Sequence, residues 1–144
     1  MASDVDNPSA LLRVDKLGAG YGKTRALHGV SLEVATASIV CVLGANGAGK
    51  TTLMRALSGL LPVSEGTAVF DGSSIANVPA EVLVRRGVVH VPQGRMVFAQ
   101  LSVRENLMLG GYTRPAGEVR EHIDHVLDYF PRLKERITSR AGTL

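Results

Sequence analysis

The 144 residues make one ordinary domain or part of a larger one, and a hydrophobic fraction of 45% is enough for a packed core, which excludes a largely disordered chain. Sixteen lysines and arginines stand against 13 aspartates and glutamates, so the net charge of +3 suits phosphate ligands without calling for nucleic acid, and an aromatic content of 4% argues against a base-stacking surface. The single cysteine, Cys41, excludes an internal disulfide and fits a reducing compartment, and its place in the apolar run IVCVL predicts a small buried thiol.

The opening MASDVDNPSALLR is polar and acidic, with no apolar signal-type core. No stretch approaches the roughly 18 apolar residues that a spanning helix needs. The expectation is a soluble cytoplasmic protein whose residues 1–10 form a mobile tail. Residues 11–17 and 30–34 then alternate apolar and polar side chains, as half-buried strands do, and predict an antiparallel opening to a sheet. Residues 39–43 differ. IVCVL is apolar throughout and β-branched at three positions, the pattern of a parallel strand covered on both faces.

That run leads into a glycine-rich loop, and KTTLMRALSGLL from Lys50 predicts a helix with Leu53, Leu57 and Leu60 or Leu61 along one face, stopped by Gly59 and Pro62. A further strand follows at 67–70, closed by the turn pair Asp71 and Gly72. A short helix is expected over 79–86, and a strand over 88–91 that ends at Pro92 and Gln93. Past Gln93 the pattern becomes helical. Ser102 and Glu105 form a capping box ahead of VRENLML. Val119, Ile123, Val126, Leu127 and Phe130 share one helical face, Pro131 interrupts, and RLKERI resumes. The expected organisation is a sheet core over 11–93 and an incomplete helical part over 94–144, divided near residues 93–95.

Gly44, Gly49, Lys50 and Thr51 fit G-x-x-x-x-G-K-[ST], the P-loop pattern, with the required strand before it and helix after it. The glycines let the backbone close around phosphate, and the N–H groups of Gly47 to Thr52 then converge on it at the positive end of a helix. Lys50 adds a point charge for the β- and γ-oxygens, and the Thr51 hydroxyl can ligate Mg²⁺. The motif alone does not choose among kinases, GTPases, helicases and transport ATPases.

Context narrows the choice, because more than thirty residues of strand-like sequence precede the loop. VDKLGAGYGKTRALHGVSLEV, then GANGAGKTT, then VVHVPQ follow one another in an order that resembles the ATP-binding subunit of ABC transporters. VPQGRMVFAQLSVRENLMLGG and FPRLKERITSRAGTL are similar to the group that energises branched-chain amino acid import. The resemblance implies an α/β P-loop NTPase fold, of which this chain is the N-terminal part. It implies ATP and Mg²⁺ as cofactors, held by Tyr21, Gly44, Asn46, Gly47, Gly49, Lys50, Thr51 and Thr52. Tyr21 would lay its ring against adenine, although taken alone it also reads as a turn residue of GYGK. Lys50 and Gln93 would serve catalysis, and Thr51 and Gln93 would attend the metal, with Gln93 relaying the state of the γ-phosphate. By itself Gln93 also reads as a solvated strand-end amide. Several such subunits carry a glutamate there, and urea or amide importers resemble this chain at VPQGR, so the transported molecule stays open.

The implied partners are membrane-spanning permease subunits and a second, homologous or identical, ATP-binding subunit, with the protein peripheral on the cytoplasmic face of the membrane and no nucleic acid. Phe98 and Leu101 are the apolar candidates for docking a permease helix, and Leu101 reads equally as helix core. The family's signature motif LSGG and the apolar strand ending in Asp-Glu are not found, nor is the switch histidine, for which none of His28, His90, His122 or His125 has the right context. The expectation is therefore a fragment that exposes a sheet edge, aggregates or needs a partner, and turns ATP over slowly. A nucleotide-binding module without turnover is the alternative. His122, His125 and Asp128 are a poor metal set because one helix supplies all three. Arg132, Lys134, Arg136 and Arg140 read most simply as a solvated face.

Overall fold

The computed structural model describes residues 10–94 and 96–144. The expected mobile tail falls mostly on residues 1–9, outside the described residues, and Arg95 is outside them as well. The chain divides into two compact units, Met1–His90 and Val91–Leu144.

In the first unit, β1 (Ala10–Tyr21) and β2 (Thr24–Ala35) form an antiparallel hairpin, with Val14 opposite Leu32 and Tyr21 opposite Thr24. β3 (Val63–Phe70) pairs antiparallel with the other edge of β1, and β4 (Ser73–Ser74) with β3, giving the order β2-β1-β3-β4. The strands outrun the alternating stretches that announce them, because hairpin register carries Gly18, Ala19 and Gly20 into the ladder whatever their own propensity. Asp71 and Gly72 both take positive φ, 46° and 70°, the pair a tight two-residue hairpin turn requires, and so place two serines as β4 that no apolar signal marks.

Helix α1 (Lys50–Leu57) turns Thr52, Leu53, Ala56 and Leu57 into the core, while α2 (Ala80–Arg85) contributes Leu83. Leu61, not Leu60, continues the buried face after Gly59 ends the helix: it packs on the core while Leu60 stays 52% exposed. Val14, Leu17 and Ala68 from the sheet meet Leu53 and Ala56 from α1 in one cluster.

Three sequence expectations fail here. Residues 39–43 form no strand, and Ile39 and Leu43 are 94% and 90% exposed. Cys41, expected as a buried thiol, is exposed with them. Residues 88–91 likewise lack strand pairing: Val88 and His90 are half-buried, but Val89 and Val91 are exposed. The physical reason is shared. A parallel strand needs neighbours from distant sequence, and among the described residues the sheet contains only the four antiparallel strands.

The second unit is helical: α3 (Val103–Gly110), α4 (Ala116–Tyr129), α5 (Pro131–Glu135) and a 3₁₀ turn at Ala141–Thr143. Val119, Ile123 and Leu127 make its core with Leu107, Leu133 and Ile137 around them. Phe130 departs from the expected face and is 58% exposed, because α4 ends at Tyr129 and Phe130 takes φ −126° and ψ 71°, which breaks the 3.6-residue period. Pro131 sits in the first turn of α5, which stops at Glu135 rather than running through RLKERI. The capping box is formed: Ser102 Oγ accepts from the Glu105 N–H at 3.2 Å, and Glu105 Oε2 accepts from the Ser102 N–H at 2.7 Å. The Ser102 N–H, and after it the Ser102 hydroxyl donating to Glu105 Oε2 at 2.7 Å, hold the Glu105 carboxyl below its usual range.

Candidate phosphate-binding site

The loop between residue 43 and α1 is shaped by two left-handed glycines, Gly47 at φ 85° and Gly49 at φ 92°. Gly49 is the N-cap of α1, and a Cβ there would lie 2.8 Å from Leu27 Cδ2 and 3.0 Å from the Ala26 carbonyl. The position therefore needs glycine twice, for its backbone angle and for close approach to β2. No side chain caps α1, and its first turn holds no acidic residue. Its first bond within the helix runs from the Leu53 N–H to the Gly49 carbonyl at 2.8 Å. The N–H groups of Lys50, Thr51 and Thr52 are thus left at the positive end of the helix without helical acceptors, the arrangement that takes an anion.

Lys50 Nζ bends back over the loop and donates to the Gly44 carbonyl at 2.6 Å and the Ala45 carbonyl at 2.8 Å. Its charge is thereby held above the loop, where a bound phosphate would need it. Asn46 lies at the exposed crest of the turn. The two threonines part company: Thr51 is exposed, with its hydroxyl open to a cation, whereas Thr52 is 6% exposed and offers its backbone N–H alone. Donors, a cation and a free hydroxyl around a cradle that a Cβ would fill fit a polyphosphate with its divalent metal.

Tyr21 closes β1, 45% exposed, and the Arg55 guanidinium lies 5.9 Å from its ring centroid. The first unit thus brings Tyr21 to α1, the helix that begins at Lys50. Arg55 is a site neighbour that sequence reading missed, since five residues of separation from Lys50 carry no signal without the strand beside it. Gln93 lies in an exposed bend of the second unit, before Gly94 at φ 90°.

Asn106 was missed as well, although an asparagine inside a helix is a hint that its amide has other work. Its Oδ1 accepts from the Phe98 N–H at 2.9 Å and its Nδ2 donates to the Phe98 carbonyl at 3.1 Å and the Ser102 carbonyl at 2.9 Å. The loop so pinned presents Phe98 63% exposed, while Leu101 is half-buried and its carbonyl accepts from the Ala141 N–H at 2.9 Å.

Among the described residues no group of three or more His, Cys, Asp or Glu side chains is placed to hold a metal, and the His125 ring stacks on Tyr129 at 6.1 Å. Arg132, Lys134, Arg136 and Arg140 are all exposed, with Lys134 Nζ 3.7 Å from Asp128. Among the described residues no helix is long and apolar enough to cross a membrane.

Comparison with known proteins meets this geometry. The family model described as ABC transporter matches residues 27–144. The chain is 42% identical over 134 residues to the high-affinity branched-chain amino acid transport ATP-binding protein BraG of Pseudomonas aeruginosa, covering 93% of this chain and 58% of that protein. It is 39% identical over 134 residues to the probable branched-chain amino acid transport ATP-binding protein LivF of Archaeoglobus fulgidus, covering 93% and 57%. A crystal structure of the ADP conformation of an ATP-binding cassette of an ABC transporter superposes with a TM-score of 0.79 at 26% identity, over 94% of this chain and 59% of that one. The chain thus spans somewhat over half the length of the proteins it matches.

Proposed function

The chain belongs to the ABC transporter family of ATP-binding proteins, and on that premise we propose that it holds Mg-ATP on its P-loop as part of an ATPase driving import of branched-chain amino acids. The observation that carries the reading is the uncapped start of α1 behind Gly49, with Lys50 poised over the loop. In this reading the N–H groups from Gly47 to Thr52 bind the phosphates. Lys50 exchanges its two carbonyl partners for β- and γ-oxygens, and the Thr51 hydroxyl orients toward the metal. Bound Mg²⁺ supplies charge neutralisation on the triphosphate. Tyr21 would stack on adenine, and the Gln93 amide would serve the metal and the water that attacks the γ-phosphate.

The second unit, with Phe98 presented by the Asn106 clamp, docks on a permease subunit at the cytoplasmic face of the membrane. A second ATP-binding subunit completes the assembly. The relatives from Pseudomonas aeruginosa and Archaeoglobus fulgidus, both named for branched-chain amino acid transport, support the amino acid substrate. Gln93 in VPQGR keeps urea or amides as the alternative cargo.

Titration of Mg-ATP into the 144-residue chain by calorimetry tests the reading, with Lys50→Ala as the variant. Saturable binding weakened about 30-fold or more by the substitution, roughly 2 kcal/mol, is the expected result. Equal binding by both proteins would sink it. A second reading is nucleotide binding without turnover, which the same phosphate-binding loop supports on its own. Phosphate release by the same sample separates the two.

A further inference from the structure

The exposed edge of α1 is formed by Thr51, Met54 and Arg55, while Thr52, Leu53, Ala56 and Leu57 face the core. Spacing of i and i+4 places Arg55 one turn beyond Thr51 on the same side of the helix. From there its guanidinium reaches the ring of Tyr21, 5.9 Å from the centroid. Tyr21 is the last residue of β1 before the hairpin turn and is 45% exposed, so little sheet packing fixes its ring. A guanidinium is planar, always charged and weakly hydrated, which makes it a good cover for one aromatic face.

The geometry points to Arg55 as a positioning residue for the nucleobase: it holds one face of the Tyr21 ring and thereby presents the other to a purine. The inference rests on the proposed stacking of adenine on Tyr21 and adds the group that orients it. A cation on one face also draws π-density from the ring, which favours offset stacking against an electron-rich purine on the other.

Two simpler roles compete. Arg55 lies in the last turn of α1, where a cation suits the helix dipole, and any positive charge near the loop attracts a triphosphate from a distance. Neither role depends on the base or on Tyr21. The full chain is therefore titrated with Mg-ATP and with Mg-tripolyphosphate, which has the phosphates and no base. Wild type, Arg55→Met, Arg55→Lys, Tyr21→Ala and the Tyr21→Ala/Arg55→Met double variant are compared, with urea midpoints checking the fold.

Arg55→Met is expected to weaken Mg-ATP about threefold and leave Mg-tripolyphosphate unchanged, with Arg55→Lys between it and wild type. In the Tyr21→Ala background Arg55→Met should have no further effect. Equal weakening of both ligands, no weakening at all, or the same threefold loss without Tyr21 each overturns the inference. Should Arg55→Met not fold, Arg55→Lys against the two ligands decides. Failure of the stacking reading itself shows separately: Tyr21→Ala would then bind Mg-ATP as wild type does.

Discussion

Two β-type regions of the first unit have opposite fates. The β1-β2-β3-β4 sheet is closed by hairpins and packed against α1, whereas the more hydrophobic run at 39–43 lies unpaired with Ile39 and Leu43 almost fully exposed. Apolar content does not order them. What separates them is the partner itself: β2 and β4 meet their neighbours across short turns, and β3 finds the open edge of β1 although it lies far along the chain, whereas among the described residues no strand pairs with 39–43. Hydrophobicity says that a segment will be buried once its partners are present, and not where they come from.

The sharpest way to break this comparison is one substitution made in both regions. Leu17→Ala, at a side chain with no exposed surface, should cost about 3 kcal/mol in urea denaturation. Leu43→Ala should shift the same transition by less than about 0.5 kcal/mol. Comparable losses would mean that the run is packed after all. Next in size, Gly49→Ala should cost about 2 kcal/mol through its left-handed backbone and the contact with Leu27, moving the same midpoint.

In the helical unit, Ser102→Ala should cost about 1 kcal/mol by removing the cap of α3, read in the helical signal at 222 nm. The pH arm follows from Glu105. Its carboxyl titrates below its unfolded value, so its contribution is present above the ordinary carboxylate range and fades as pH falls through the lower folded value. Glu105→Gln should flatten the stability profile in that acid window, with its loss of stability largest at neutral pH and smallest once pH has fallen through the lower folded value. Smallest of all, Ile39→Lys with Leu43→Lys should leave the urea midpoint unchanged while raising solubility, measured as monomer remaining after centrifugation.

The same contrast marks how far the sequence could be read. The glycine loop with the helix behind it, the antiparallel opening, the Asp71 and Gly72 turn and the Ser102 capping box rest on local rules and appear at their expected places, while the strand expected before the loop does not form. Burial of Cys41 and pairing of 39–43 and 88–91 depend on chain that no local rule supplies. β4 escaped because its two serines carry no pattern, and Phe130 because a helical period says nothing of where the helix ends. The partnership of Arg55 with Tyr21 depends on tertiary placement alone.

Lys50 carries a last consequence. Its ammonium already spans the Gly44 and Ala45 carbonyls, so the free loop is a closed ring held by its own cation. On the proposed reading, phosphate would replace these carbonyls as the acceptors of one ammonium group within a loop already shaped, so little conformational entropy would remain to be lost on binding. The affinity for phosphate would then report the difference between two sets of acceptors for that group. Replacing the lysine removes the clasp from the free protein as well as the contact from the complex, so the calorimetric enthalpy of the variant reflects loop ordering as much as lost charge.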